Sequence, residues 1–227
     1  SSALAPTVNP KKRLTINYMA TLSNGTNQQC LGVNFSEDLQ WKHHVDVTAK
    51  KAIRFLRRNL RECSKNVRNA AYISLVRPTL EYASAAWDPH TTEDINSLEQ
   101  VQRRAARFVT NNYTDETPGC VTTMVKTLGW EPLANRRSNH RLVMLYKIQH
   151  ELVDIDASSI LRPNDRRTRG KQRLYQPPAN QRVYKYSYFP RTIQEWNHLP
   201  TATTEALTIE GFQSALANNS APKRPTP

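Results

Sequence analysis

The stretch "LVRPTLEYASAAWDP", residues 75–89, sets Arg77, Glu81 and Asp88 among small apolar residues, with Trp87 directly before Asp88. Two carboxylates beside a guanidinium are a set in which the carboxylates could move protons and the guanidinium could hold charge. They are also the types that tie helices together where a guanidinium meets a carboxylate inside a core. The spacing favours ties. Arg77 and Glu81 stand four residues apart, one helical turn, where they would pair across Pro78. Asp88 is placed to cap or bond a neighbouring helix, and Trp87 falls on an inner stripe. Arg77, Glu81, Trp87 and Asp88 therefore read as structural, together with Trp196 of the later segment "TIQEWN".

No other constellation carries catalysis. Two-metal polymerases and nucleases hold their ions with closely spaced carboxylates, and no two aspartates are adjacent here. Asp154 and Asp156 suit a solvated helix end. Cys30, Cys63 and Cys120 lack zinc-ligand spacing, and His43, His44 and Asp46 make only a weak cluster. With 6 glycines there is no phosphate-binding loop, and no G-x-S-x-G elbow occurs. The expectation is no catalytic residue and no metal or other cofactor in this chain.

The charge is more informative. Lysine and arginine number 32 against 19 acids, a net charge of +13, which favours a polyanionic partner. Lys50, Arg54, Arg57 and Arg61 recur at helical spacing on one face, widened by Lys51 and Arg58, with Asp46 the one acid in that helix. Arg103, Arg104 and Arg107 form a second group. Residues 162–178, "RPNDRRTRGKQRLYQPP", form a third, a basic loop offering Arg166, Arg167, Arg169, Lys171 and Arg173. These are the candidate nucleic-acid contacts. Scattered cysteines argue for a reducing compartment, and no run approaches the roughly 18 apolar residues of a membrane span. The expected location is intracellular, cytoplasm or nucleus, with no membrane partner. The start carries neither an initiator methionine nor an apolar leader, which suggests a fragment or a processed product.

The elements that position these residues read mainly as helix, after an N-terminal β-hairpin. "RLTINYMATL" reads as a strand, Asn24-Gly25 as a turn and "CLGVNF" as a second strand. A first helix buries Val45, Ala49, Ala52, Ile53, Leu56 and Leu60. Ser64 caps a second, with Val67, Ala70, Ala71, Ser74 and Leu75 inside, interrupted by Pro78. The chain then restarts with Leu80, Ala83, Ser84 and Trp87 inward. Thr91 caps a helix with Ile95, Leu98, Val101, Ala105, Phe108 and Val109 on its stripe. A short helix stops at Gly129, and Pro132 opens a longer one burying Leu142, Leu145, Ile148 and Leu152. "RVYKYSYF" alternates like a strand, Pro190 opens a short helix and Thr208 caps a last one.

Taken in order, "CLGVNFSEDLQWKHHV", "KKAIRFLRRNL", "AYISLVRPTLEYASAAWDP", "LEQVQRRAARFV", "LGWEPLANRR" and "YKYSYFPRTIQEWNHLP" resemble the carboxy-terminal part of reverse transcriptases of non-LTR (LINE-type) retrotransposons, from about Asn9 to Phe212. The resemblance implies a palm-end and primer-grip-like β remnant over 1–38, with "CLGV" as a Leu-Gly turn. It implies a thumb-like basic helical bundle over 39–112, a helical C-terminal region over 113–217 and a tail over 218–227. The family's Asp-Asp catalytic box, its endonuclease and its Cys-His knuckle have no counterpart here, so Mg2+ would belong to a palm this chain lacks. The implied function is that of a non-catalytic part of an RNA-directed DNA polymerase. Its partners would be RNA, RNA–DNA hybrid or DNA, gripped through backbone phosphates, and the missing palm. The rival expectation is a structural module that docks on such a palm, or on another protein, without binding nucleic acid.

Overall fold

The computed structural model describes residues 28–38, 40–60, 62–164 and 173–220, with the backbone alone for 55–59 and 220. It is mostly helical with a small N-terminal β-hairpin. Strands β1 (Gln28–Cys30) and β2 (Val33–Phe35) pair antiparallel, with Cys30 opposite Val33. The two-residue loop between them, Leu31-Gly32, has positive φ at both positions, 46° and 82°. That geometry matches the twist of paired strands and suits glycine at the second position. "CLGVNF" is therefore not one strand: it folds back on itself at the Leu-Gly turn. The strand expected over "RLTINYMATL" and the turn expected at Asn24-Gly25 lie outside the described residues.

Helix α1 (Lys42–Asn59) buries Val45, Ala49 and Ala52 and holds the hairpin through His44. The His44 Nδ1 accepts the Asn34 amide proton at 3.2 Å, and its ring meets Trp87 edge-on at 4.5 Å.

Helix α2 (Lys65–Ala71) does not break before Pro78. It passes through a π-helical turn, Tyr72–Val76, into α3 (Arg77–Glu81), with the Arg77 amide donating to the Tyr72 carbonyl. The wide turn makes room for the proline ring, so Arg77 stays helical. It also rotates the helix face. Tyr72, Val76 and Leu80 are fully buried, whereas Val67, Ala70, Ser74 and Leu75, expected inside, are exposed. Ala83, also expected inside, adopts a left-handed conformation at the surface and leads into α4 (Ser84–Trp87).

Thr91 caps α5 (Thr92–Thr110), its hydroxyl accepting the Asp94 amide proton at 3.2 Å and donating to the Asp94 carboxylate. Helix α6 (Cys120–Thr127) ends at Gly129, where the Trp130 amide reaches back to the Val125 carbonyl. Helix α7 (Leu133–Gln149) follows Pro132. It stops before Leu152, which is 57% exposed rather than buried.

The segment "RVYKYSYF" forms no strand. It makes the helical turn α8 (Arg182–Lys185) and the start of α9 (Tyr188–Asn197). Its tyrosines bind elsewhere: Tyr186 stacks on His90, and the Tyr188 hydroxyl donates to the Arg141 carbonyl at 3.1 Å. Helices α10 (Thr201–Thr204) and α11 (Ile209–Ser220) are the last described elements, the Thr208 hydroxyl accepting the Gly211 amide proton.

Two apolar cores form among the described residues. The first gathers Val33, Val45, Tyr72, Val76, Leu80, Trp87, Leu98, Val101, Phe108, Trp130 and Leu133. The second gathers Leu142, Leu145, Tyr146, Leu174, Ile193, Trp196, Phe212 and Leu216. Helix α7 spans both, with Leu133 in one and Leu142 in the other. No described helix is long and apolar enough to cross a membrane.

Candidate functional site

Between the two cores the middle of α7 is charged. Leu133, Arg137, Arg141 and Leu145 recur every fourth residue, so the two arginines lie in line with the apolar positions and are carried inward. Arg137 donates from Nε to Asp88 Oδ1 at 2.8 Å, and Arg141 from Nε to Asp88 Oδ2 at 2.9 Å. Arg141 also grips Glu195 from Nη2 at 2.7 and 2.9 Å. Arg191 adds its Nη2 against Asp88 Oδ2 at 3.2 Å and donates from Nη1 to the carbonyls of Asp88 and Pro89. The Asp88, Arg137 and Arg141 side chains are at most 4% exposed, so these pairs are shielded from solvent.

A second pair lies nearby. Arg136 forks onto both oxygens of Glu81, so Glu81 pairs with α7 and not with Arg77. Burial lowers the pKa of Arg191 and of His140, while the Glu81 hydrogen bond raises that of Arg136. Trp87 and Trp196 pack in the first and second core respectively. Sequence reasoning missed Arg136, Arg137, Arg141 and Arg191. The four-residue recurrence from Leu133 to Leu145 was the available signal. Chemically this cluster is glue: both Asp88 oxygens already accept guanidinium protons.

The weak metal cluster is not brought together, because His44 is buried against Trp87 while His43 and Asp46 are exposed. Burial drives the His44 pKa down from 6.5 to about 4, with His43 adding to the effect. Among the described residues no group of three or more His, Cys, Asp or Glu side chains is placed to hold a metal.

Of the basic candidates, Lys50 and Arg54 on α1 and Arg103 and Arg104 on α5 are exposed and make no ion pair with a described residue. Lys51 is exposed as well. Arg107 is committed internally, donating to the carbonyls of Asn112 and Asp115 and so clamping the loop after α5. Glu99, four residues before Arg103, accepts instead the Ala134 amide at the start of α7. Arg173 is exposed beside the Pro163–Leu174 bridge. The side chains of Arg57 and Arg58, and residues Arg61, Arg166, Arg167, Arg169 and Lys171, lie outside the described residues.

No protein-family model, curated protein or solved structure matches the chain.

Proposed function

We propose that this chain is a non-catalytic nucleic-acid-binding piece of a non-LTR retrotransposon reverse transcriptase, gripping a template–primer duplex through backbone phosphates. The observation that carries the reading is the division among the arginines. Arg136, Arg137, Arg141 and Arg191 are consumed by carboxylates between the cores, whereas Lys50, Arg54, Arg103 and Arg104 are exposed without a paired acid among the described residues.

Geometry adds support. Helices α1 and α5 pack against each other, and Lys42 on Glu93 at 2.8 Å joins their first turns. Lys50 and Arg54, one turn apart on α1, and the adjacent Arg103 and Arg104 on α5 would meet phosphates spaced about 3.4 Å per strand along a duplex. Contacts of this kind hold a duplex without reading its sequence, which is what a polymerase thumb requires.

The test is a binding titration with a labelled RNA–DNA hybrid. Substituting Lys50, Arg54, Arg103 and Arg104 together by alanine should weaken binding at least tenfold. Unchanged affinity would remove the proposal. A second reading, docking on a polymerase palm or another protein, draws on the apolar side chains left outside: Leu31 is 85% exposed at the hairpin tip, and Leu75 is 51% exposed. A chain that bound no hybrid at low salt would favour that reading.

A further inference from the structure

A hollow of about 350 Å3 opens between the hairpin–α1 junction and the segment from Arg182 to Arg191. Its walls include Trp41, His90, Tyr186 and Tyr188, with Arg182 and Arg191 beside them. The His90 and Tyr186 rings stack at 4.1 Å and 10° from parallel, and this pair is a partition. On its other side lies a second hollow of about 580 Å3, which shares His90, Tyr186 and Arg191 and adds Lys185.

We propose that this partition is a stacking platform for single-stranded nucleic acid, taking an unpaired base beside Tyr186 and the adjoining phosphate on Arg182. Every nucleobase has a π-face, and aromatic side chains interleaved with cations hold single strands on that basis. The first hollow falls within the size range of small-ligand sites, about 300–1,000 Å3. Its floor is fixed, because Arg191 is bonded to the Asp88 and Pro89 carbonyls and Tyr188 to the Arg141 carbonyl. Its rim is available: Tyr186 is 37% exposed, and Arg182 is exposed with no ion pair to a described residue. The Lys185 ammonium lies over the Tyr186 ring, 5.6 Å from its centre, a second cation at the rim for the adjoining phosphate.

Burial and the neighbouring Arg182 and Arg191 lower the His90 pKa, which favours the neutral imidazole in the stacked pair. A base locked in a duplex cannot enter the hollow, so the platform selects unpaired strands. This goes beyond the duplex contacts proposed for α1 and α5 and depends on different residues.

The experiment uses the full chain and two labelled oligomers of equal charge at one salt concentration: hexadeoxyadenylate and its tetrahydrofuran abasic counterpart. The platform predicts at least tenfold tighter binding of the hexadeoxyadenylate. Tyr186→Ala should erase that ratio, Tyr186→Phe should keep it, and Arg182→Ala should weaken both oligomers. Substituting Lys50 and Arg54 by alanine should leave the ratio unchanged, which separates this site from the duplex face. Tyr186 lies at the surface, and circular dichroism of Tyr186→Ala checks that the fold survives. Equal affinity for the two oligomers, or an unchanged ratio in Tyr186→Ala, would overturn the proposal.

Discussion

Asp88 accepts the Nε proton of Arg141 at 2.9 Å across 53 residues of sequence, at the place where one apolar core gives way to the other. The same carboxylate holds Arg137, whose two Nη groups have no hydrogen-bond partner among the described residues. Asp88 is thus the anchor of a fully buried guanidinium. Removing one member of a buried pair leaves an uncompensated charge, at a cost of about 3–5 kcal/mol. Asp88→Asn should lower the unfolding free energy by about that amount in a denaturant titration. Arg191→Ala should cost less, about 1 kcal/mol, because Arg191 keeps contact with solvent. Equal stability of Asp88→Asn and the parent would show that the network carries no weight.

His44 gives the fold a pH dependence. Its folded pKa of about 4 lies below the ordinary 6.5, so the unfolded chain takes up a proton that the folded chain refuses. Stability from this residue is complete above pH 6.5 and falls as the pH drops toward 4, by about 3 kcal/mol in all. His44→Asn keeps an acceptor for the Asn34 amide and removes the titration. Its stability should change less than the parent's between pH 6.5 and 4, and parallel curves would contradict this.

Glu99 caps α7 from another helix, its Oε1 accepting the Ala134 amide at 2.8 Å. Glu99→Ala should cost about 1 kcal/mol, the usual value of a lost N-terminal cap. Glu99→Gln should recover part of it, because the amide oxygen still accepts. The comparison requires only thermal melts of three proteins.

Leu31 sits at φ 46°, a left-handed backbone that costs a leucine about 1–2 kcal/mol and an asparagine less. With its side chain 85% exposed, little packing is lost on substitution. Leu31→Asn should stabilise the chain by about 0.5–1 kcal/mol, unless the leucine is held by a partner. A destabilised variant would place Leu31 in a contact that the described residues do not include.

Several helix ends were legible from a local signal, although Ser64 makes no side-chain cap bond and the helix expected to open at Pro190 begins at Tyr188. Thr91 before an acidic first turn and Thr208 before Gly211 mark helix starts through their hydroxyls, and Gly129 after an apolar run marks a stop through its backbone. The phase of Lys65–Ala71 was not legible, since the π-turn at Tyr72–Val76 adds a residue that no 3.6-residue count contains. "RVYKYSYF" alternates in sequence, but Tyr186 stacks on His90, the Tyr188 hydroxyl bonds the Arg141 carbonyl, and no described strand lies beside the segment. The charged cluster was half legible. Glu81 and Asp88 stood out, but their partners Arg136, Arg137 and Arg141 looked like more of the general basic excess. Arg107 shows the converse, a basic residue in an exposed-looking group whose guanidinium is held by its own following loop.

The most direct measurement of the central claim is the affinity of the chain for an RNA–DNA hybrid across a range of salt concentrations. If about six cations meet phosphates together, the logarithm of the association constant should fall against the logarithm of salt with a slope of about −4 to −5. Binding indifferent to salt, or no binding at the lowest salt, would contradict the phosphate-gripping account.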